Sequence, residues 1–283
     1  MAETGLHLQK QFEIVEVEPK PAFGLFKKSA RKKHVGLKAN PGSSRLGGLP
    51  DVTAHFSWPH IDGKPMQFLA QINCSEVAGL LPESSFPTAG LLHFFFDFDN
   101  LNCFKPQKNR TAECVQYSPA ITDLVTASAP AGTKPEFILP AFPVKLVPCP
   151  TFPDAESEQY RGLKLSEDER EGFSEGRAIW QKQYLTADGC DGLHQVAGIP
   201  EGIQGDIFIK AEKIYRRTEG NTNSEASEKT LEESGNWCLL LQCDSDGDLG
   251  TEWGDAGTLY FCIRKVDLHA RHFEKVCVVF QCH

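Results

Sequence analysis

Four aspartates near the carboxyl end of the chain have the spacing of a cation site. Asp244, Asp246 and Asp248 alternate with other residues, and Asp255 occupies the twelfth position of the same run. Carboxylate oxygens that converge on one point are the ligands that Ca²⁺ and Mg²⁺ prefer. The run is not an EF-hand, because Leu249 stands where that loop requires glycine. The spacing indicates either a looser Ca²⁺ or Mg²⁺ site or a polar turn between two strands, and no other cofactor is predicted.

Two glutamines occupy matching places at the ends of two apolar runs. Each is followed two residues later by a second polar residue, giving the pairs Gln71/Asn73 and Gln242/Asp244. Residues two apart on a strand share a face, so each pair could line a cleft between two halves of the chain and bind a ligand there. The alternative is structural, with each carboxamide holding the following turn through backbone hydrogen bonds.

Other polar residues give weaker signals for chemistry. His93 precedes Asp97 on one strand face, which could serve acid–base catalysis but is also typical of the solvated side of a sheet. Gln204 and Asp206, in a turn, are further candidates for ligand groups. The sequence contains no nucleophile elbow, no His-Glu-x-x-His motif and no phosphate-binding glycine loop. We expect a non-catalytic protein, with a metal-assisted hydrolase at the acidic loop, helped by His93 or His194, as the alternative.

A basic segment lies near the amino terminus. Five of its seven residues are cationic, namely Lys27, Lys28, Arg31, Lys32 and Lys33. Such a run is typical of a solvated loop, and it could also act as a nuclear-import signal or contact an anionic surface. Residues 1–50 carry nine lysines and arginines against four glutamates, a net charge of +5, so the rest of the −9 chain carries −14. The acidic body argues against nucleic-acid binding.

The elements that must position these residues are arranged as a repeat. Each half contains a turn of the type small-Gly-apolar-Pro, an apolar run that ends in Gln-x-Asn/Asp, and Ala-Gly before an aromatic run. These pieces are residues 47–50, 68–73 and 89–95 in the first half, and 197–200, 239–244 and 256–262 in the second. Their shared order indicates an internal duplication. We predict an α+β protein with two duplicated, mainly antiparallel, β-rich halves joined by a helical segment.

The predicted boundaries follow from pattern and composition. A basic and flexible extension, residues 1–44, in which residues 12–17 alternate like an edge strand, precedes one domain at 45–283. The parts of that domain are the first half, 45–150, the helical connector, 151–189, and the second half, 190–283. Ser166 and Glu169 predict a capping box in the connector. The second half contains a polar insertion, 216–236, which we expect to be flexible, between predicted strands at 207–214 and 237–242.

Composition suggests where the protein is found. No apolar run is long enough to span a membrane, and the amino terminus lacks the basic and apolar regions of a secretory signal. Ten cysteines occur without Cys-x2-Cys spacing, so we expect reduced and mostly buried thiols rather than zinc ligands or disulfides. The sequence therefore predicts a cytosolic protein, with nuclear import through the basic segment as a further possibility.

The chain resembles the YwqG-like proteins, a bacterial-type family of domains of unknown function. The matching pieces include Arg45-Leu46-Gly47-Gly48-Leu49-Pro50 and Trp253-Gly254-Asp255-Ala256-Gly257, with residues 68–73, 90–95, 194–200, 203–206 and 239–242 between them. They occur in the family's order over about residues 45–282. The resemblance implies a duplicated, sheet-rich α+β body, and it brings no reaction, cofactor or catalytic residue. We expect a cytosolic non-catalytic binding or protein-interaction module, whose partner is a protein or, alternatively, a small molecule.

Overall fold

A computed structural model describes six stretches of the chain, residues 3–17, 31–98, 114–155, 157–185, 193–218 and 228–283. The strands in these stretches are β1 (Glu3–Lys10), β2 (Phe12–Val17), β3 (Arg31–Gly36), β4 (Arg45–Leu46), β5 (Asp51–Val52), β6 (His60–Ile61), β7 (Lys64–Pro65), β8 (Gln67–Asn73), β9 (Leu91–Phe96), β10 (Val115–Ser118), β11 (Val125–Thr126), β12 (Phe142–Thr151), β13 (Gln195–Val196), β14 (Trp237–Asp244), β15 (Thr258–Arg264) and β16 (Cys277–Gln281). The helices are α1 (Cys74–Leu80), α2 (Glu158–Gly162), α3 (Glu167–Leu185), α4 (Ile207–Thr218), α5 (Glu228–Ser234) and α6 (Lys265–Ala270).

Ten of the strands form one antiparallel sheet. Its strand order is β10-β9-β8-β4-β12-β1-β13-β14-β15-β16. Smaller two-stranded sheets pair β2 with β3, β5 with β11, and β6 with β7. The β-rich and antiparallel character predicted from the sequence is confirmed, and a few helices accompany the sheet.

The amino-terminal strand lies in the middle of this sheet. β1 pairs with β12 along its whole length and with β13 on its other edge. Leu6 and Leu8 of β1 are buried in the core. The prediction of an extension outside the domain at residues 1–44 is therefore wrong for residues 3–10. Only two apolar residues mark β1 in the sequence, too few to predict a strand that is covered on both faces.

The strand order is similar when it is read outward from the β12–β1 pair in either direction. β4, β8, β9 and β10 follow on one side, and β13, β14, β15 and β16 follow on the other. The β8–β9 and β14–β15 pairs each contain a bulge just before a glutamine, at Leu69 before Gln71 and at Leu240 before Gln242. A bulge is a specific local feature of a strand pair, and here it occurs at matching positions on the two sides.

The turns that leave β4 and β13 also share a backbone conformation. Gly47 and Gly48 have φ angles of 64° and 75°, and Ala197 and Gly198 have φ angles of 58° and 72°. Positive φ is uncommon for a residue with a Cβ atom. Ala197 nevertheless adopts it where the first half uses a glycine, which indicates that the path of the turn is constrained by its surroundings.

The sheet curls so that its two ends face each other across the main core. Phe94 of β9 and Phe261 of β15 have ring centroids 5.3 Å apart, although six strands lie between them in the sheet. Because neighbouring strands are about 4.8 Å apart, a flat sheet could not bring these rings into contact. Phe96 packs against Trp253 in the same layer. Phe94 therefore lies in the core, and Phe96 packs against it.

The opposite face of β9 is covered as well. His93, which was predicted on a solvated face, is completely buried, and so is Phe95 on the same face. Phe56 and Trp58 pack on Phe95, with ring centroids 6.2 and 5.5 Å away. The prediction of a solvated face is wrong because the segment after β5 folds over this side of the sheet.

A helix occupies residues 207–214, where a strand was predicted. α4 buries Ile207, Phe208 and Ala211 against the outer face of the second half. Asp206 caps the helix, since its Oδ1 accepts the backbone N–H of Ile209 at 2.9 Å. The prediction is wrong because the apolar residues of this short segment fit both the helical and the strand period.

The connector contains α2 and α3. The predicted capping box is present, with the backbone N–H of Ser166 donating to Glu169 Oε2 at 2.8 Å and the backbone N–H of Glu169 donating to Ser166 Oγ at 3.4 Å. Within the insertion predicted at 216–236, residues 216–218 complete α4 and residues 228–234 form α5, so these parts are not flexible, while 219–227 lie outside the described residues. Among the helices placed by the structure, none is both long enough and apolar enough to cross a membrane.

Candidate functional site

Gln71 holds the turn that follows β4. Its buried Oε1 accepts the backbone N–H of Asp51 at 2.8 Å, and its Nε2 donates to the carbonyl of Ser43 at 3.0 Å. Asn73 donates from Nδ2 to the carbonyl of Gly42 at 2.8 Å, and its Oδ1 caps α1. Both side chains bond to the protein's own backbone, which is the structural alternative that the sequence left open.

Gln242 makes the corresponding contacts in the second half. Its Oε1 accepts the backbone N–H of Glu201 at 3.0 Å, and its Nε2 donates to the carbonyl of Leu193 at 3.3 Å. Asp244 accepts the N–H of Leu193 at 2.6 Å and the hydroxyl of Thr258 at 2.7 Å. Burial raises the pKa of the Asp244 carboxyl. The two carboxamides are therefore used to hold turns, and they do not line an open cleft.

A third pair of side chains completes the likeness between the two turns. On the strand next to each glutamine, His93 Nε2 lies 2.9 Å from the carbonyl oxygen of Asp51, and Tyr260 Oη donates to the carbonyl of Glu201 at 2.6 Å. A carbonyl can only accept, so the proton of the neutral imidazole is on Nε2. Burial lowers the pKa of His93 to about 4, so His93 is a neutral structural donor rather than an acid–base catalyst at neutral pH.

The two halves differ in how they neutralise the carboxylate at the end of the turn. Arg45 Nη1 lies 2.6 Å from the buried carboxylate of Asp51. Burial alone would raise the pKa of Asp51, but the hydrogen bond from Arg45 contributes to lowering it to about 2. In the second half Gln195 takes the place of Arg45, and Glu201 pairs instead with Arg177 of α3. This ion pair tethers α3 to the body of the protein.

The two weaker ligand candidates lie close to α4. Besides capping α4, Asp206 accepts the backbone N–H of Glu158 at the start of α2, at 2.9 Å. The backbone of Gln204 is bound by the buried side chain of Gln281, which accepts its N–H at 2.8 Å and donates to its carbonyl at 3.1 Å. The Gln204 side chain is exposed. A small indentation beside Asp206 and Pro200 has room for about one water molecule.

The acidic loop converges on the side chain of Lys10. Lys10 Nζ lies 2.9 and 2.6 Å from the two carboxylate oxygens of Asp246, and 2.7 Å from Asp248 Oδ2. The side chains of Lys10 and Asp246 are completely buried. Burial lowers the pKa of Lys10, but its hydrogen bonds to the two aspartates raise it above its ordinary value. A lysine of β1 thus occupies the position that a cation would take if the loop were the Ca²⁺ or Mg²⁺ site considered above.

His194 extends this buried cluster. Its Nε2 lies 2.8 Å from Asp246 Oδ2. Burial lowers the pKa of His194, but the opposing effects of Asp246 and the neighbouring Cys243 are larger together and raise it to about 10. Protonated His194 and Lys10 therefore balance the charges of Asp246 and Asp248. Cys243, His194 and Asp246 are the residue types of a nucleophilic triad, but all three are buried and a substrate cannot reach them.

Asp255 lies apart from the cluster. It is exposed, and its backbone carbonyl accepts the N–H of His283 at 3.0 Å. Across the six described stretches, no group of three or more His, Cys, Asp or Glu side chains is placed to hold a metal ion. Of the four aspartates predicted as metal ligands, the structure brings Asp246 and Asp248 together, and it does so around a lysine.

β2 and β3 form a two-stranded ribbon outside the ten-stranded sheet, which the sequence analysis missed. The strands pair at six positions. β3 begins with Arg31, Lys32 and Lys33 of the basic segment, a run that is typical of a loop. Lys27 and Lys28 lie outside the described residues. The alternation in residues 12–17 correctly predicted β2, but β3 was not predicted because it begins with a run of basic residues.

The base and one face of the ribbon are fixed to the body. Gly36 approaches Ala141 so closely that a Cβ atom there would lie 2.0 Å from the Ala141 carbonyl oxygen, so only glycine fits. His34 Nδ1 lies 2.9 Å from Asp248 Oδ2. The ribbon is thereby connected to the cluster around Lys10.

The other face of the ribbon is exposed. Val15, Val35 and Leu37 have 38, 39 and 46 % of their surface exposed, and the charged Glu13 and Lys33 lie among them. Alternate residues of a strand point to the same side, so these five side chains form one surface. We call this surface the ribbon face.

Comparison with known families places the chain in one of them. Residues 44–282 match the model of a domain of unknown function, DUF1963, and the chain belongs to this family. The match agrees with the resemblance found in the sequence. A search of curated proteins found no match to the chain. β1 and the ribbon precede the matched range, although β1 lies at the centre of the sheet.

Proposed function

Membership of the DUF1963 family brings no reaction with it, and we propose that this chain is a non-catalytic binding module that recognises a protein. The ribbon face carries the proposal. Exposed apolar side chains bordered by charged ones are typical of surfaces that bind other proteins. A two-stranded ribbon is only marginally stable by itself, so packing against a partner would stabilise this one.

The use of the polar residues supports a non-catalytic role. The side chains of Gln71 and Gln242 hold turns, and Asp206 caps a helix. The buried charges of Asp246 and His194 are balanced inside the protein. Catalysis requires reactive groups that a substrate can reach, and these groups are hydrogen-bonded to other parts of the chain.

We infer that the two sides of the sheet arose by duplication of one unit. The mirrored strand order, the two bulges before glutamine and the matching hydrogen bonds at the turns support this inference. If one unit is taken as β1 to β10 and the other as β12 to β16, the two units exchange their first strands, since β1 pairs with β13 and β12 pairs with β4. We also propose that, within the DUF1963 family, the chain is a YwqG-like protein.

The proposal can be tested by affinity capture with a variant of the ribbon face. Deleting residues 1–44 is unsuitable because it removes β1 from the centre of the sheet. We would use the full chain carrying Val15→Ser and Val35→Ser. The matched control carries Ile179→Ser on α3 and Val266→Ser on α6, which replace two aliphatic side chains that are each 67 % exposed.

With chemical crosslinking before capture, so that weakly bound partners and untagged copies of the chain are retained, the expected result is a protein partner with the wild type and the control, and its loss with the ribbon-face variant. Capture by all three proteins alike would show that binding occurs elsewhere. A ribbon-face variant that melts with the wild type but still captures the partner would overturn the role of the ribbon. If no protein is captured by any form, the module hypothesis fails and a small-molecule partner becomes the next candidate.

The alternative function, a metal-assisted hydrolase at the acidic loop, makes a different prediction. A divalent cation would have to displace Lys10 from Asp246 before it could bind there. We therefore expect no change in melting temperature on addition of millimolar Ca²⁺ or Mg²⁺. Any ligand that binds the folded state raises the melting temperature, so a saturable increase would favour the hydrolase.

A cytosolic location is part of the proposal. All eight cysteines in the described residues are free thiols, the state that a reducing compartment maintains. Nuclear import through the basic segment is compatible with this reading. Replacing Lys27 and Lys28 by serine, which leaves β3 intact, would abolish nuclear accumulation of a fluorescent fusion if the segment acts as an import signal.

A further inference from the structure

We propose that the ribbon face binds the ribbon face of a second copy of this chain. The inference rests on the proposed function, because it names the partner of the same surface. It follows from the register of the two strands and from the positions of two charges.

The register places four side chains of the ribbon face at the corners of a rectangle. Glu13 lies opposite Val35, and Val15 lies opposite Lys33. Directly opposite residues have Cβ atoms about 5 Å apart, and diagonal neighbours are about 7–8 Å apart. The two valines therefore occupy one diagonal, and the acid and the base occupy the other.

This arrangement is complementary to itself. A two-fold axis along the valine diagonal would bring Val15 against Val15 and Val35 against Val35 of the second copy. The same rotation would carry Glu13 of each copy over Lys33 of the other, forming two equivalent ion pairs. In a two-fold dimer the same patch is used on both subunits and must complement itself, and this pattern of one acid, one base and two valines meets that condition.

The interface is small. Six residues in a strand span about 20 Å, and the ribbon is two strands wide, so the contact lies well below the size of a stable dimer interface. We therefore expect association that depends on concentration and exchanges rapidly. Leu37, at the base of the ribbon, adds apolar surface beside the valines.

Charge exchange gives the decisive experiment, read by sedimentation velocity over a wide range of protein concentration. Glu13→Lys leaves two lysines on each face, and Lys33→Glu leaves two glutamates, so each variant alone should remain monomeric. The double variant Glu13→Lys/Lys33→Glu restores opposite charges and should associate like the wild type. An equimolar mixture of the two single variants should form a heterodimer, because all four charges are then paired.

A mixture that stays monomeric while the wild type associates would overturn the proposed pairing. Val15→Ser/Val35→Ser should abolish association in every charge background, and melting curves would verify that each variant is folded. A wild type that is monomeric at all concentrations would refute self-association. If that monomer still captures another protein through the ribbon face, the proposed function stands and only the identity of the partner changes.

Discussion

Replacing Lys10 by methionine should destabilise the protein strongly, because it removes the charge that balances a buried aspartate. Methionine keeps most of the length of the side chain but makes none of the three contacts of Nζ with Asp246 and Asp248. Removing one partner of a buried ion pair costs about 3–5 kcal/mol. Asp246 keeps its contact with His194, so we expect a value near the lower end, about 3 kcal/mol.

Asp248 adds little to this loss. Its side chain is partly exposed and keeps its contact with His34, and partly solvated pairs are worth much less than buried ones. The assay is urea unfolding followed by fluorescence, with the free energy obtained by linear extrapolation. The matched control is Lys145→Met, an exposed lysine on the neighbouring strand β12, which should change the free energy of unfolding by less than about 0.5 kcal/mol.

The reasoning is refuted if Lys10→Met and Lys145→Met unfold at the same urea concentration. A second variant strengthens the test, because Asp246→Asn removes the other member of the pair. Residues in direct contact show coupling of about 0.5–3 kcal/mol in double-mutant cycles. The double variant should therefore be more stable than the sum of the two single losses indicates, whereas simple additivity would mean that the two side chains do not interact.

Three further predictions follow from the turns and their hydrogen bonds. The pKa of His93 in the folded protein is about 4, below the ordinary value of 6.5, so the stability that neutral His93 contributes is present above pH 6.5 and is lost as the pH falls towards 4. The change in the free energy of unfolding is roughly 3 kcal/mol. His93→Gln should flatten the profile of stability against pH in this range, and an unchanged slope would contradict the assignment. Gln71→Leu and Gln242→Leu should each lower the free energy of unfolding by about 2–4 kcal/mol, because each leaves buried backbone groups unpaired, whereas the exposed Gln204→Leu should have no effect in the same urea titration. Asp206→Ala should cost about 1 kcal/mol through loss of the cap and speed hydrogen exchange at the start of α4, and equal exchange in both proteins would reject the capping role.

The recurring motifs predicted the antiparallel sheet well because they contain the residues that form its turns and bond to them. Gln71 and Gln242 stand where a carboxamide must bond both a donor and an acceptor of the preceding turn. The sequence could show that these residues matter, but not whether they bind the chain or a ligand. That choice depends on the distance to Asp51 and Glu201, which lie far away in the sequence and become neighbours only in the folded protein.

The acidic loop could not be interpreted correctly without the fold. Asp246 lies 236 positions from Lys10 in the sequence, and only the placement of β1 beside β12 and β13 brings them together. Four aspartates with regular spacing look like a metal site until the cation that balances them is located. Lys10 itself carried no local signal, because a single lysine at the end of a short strand is usually a solvated residue.

The ribbon was missed for a different reason. Its two strands are separated by a segment whose residues did not predict a turn, and Arg31, Lys32 and Lys33 oppose the alternation expected of β3. Strand propensity is weak evidence when the strand lies outside the core. The polar and apolar pattern of Lys33 and Val35 becomes meaningful only when the register with Glu13 and Val15 is known.

Site-specific photo-crosslinking in living cells would show whether the ribbon face binds a protein. A photoreactive amino acid would replace Val35 on the ribbon face in one protein, and the exposed Val266 on helix α6 in the control. We expect a discrete crosslinked protein species from position 35 that position 266 does not give, with twice the mass of the chain if the partner is a second copy. Equal yields at both positions, or no crosslinked species at position 35, would contradict the claim that the ribbon face binds a protein.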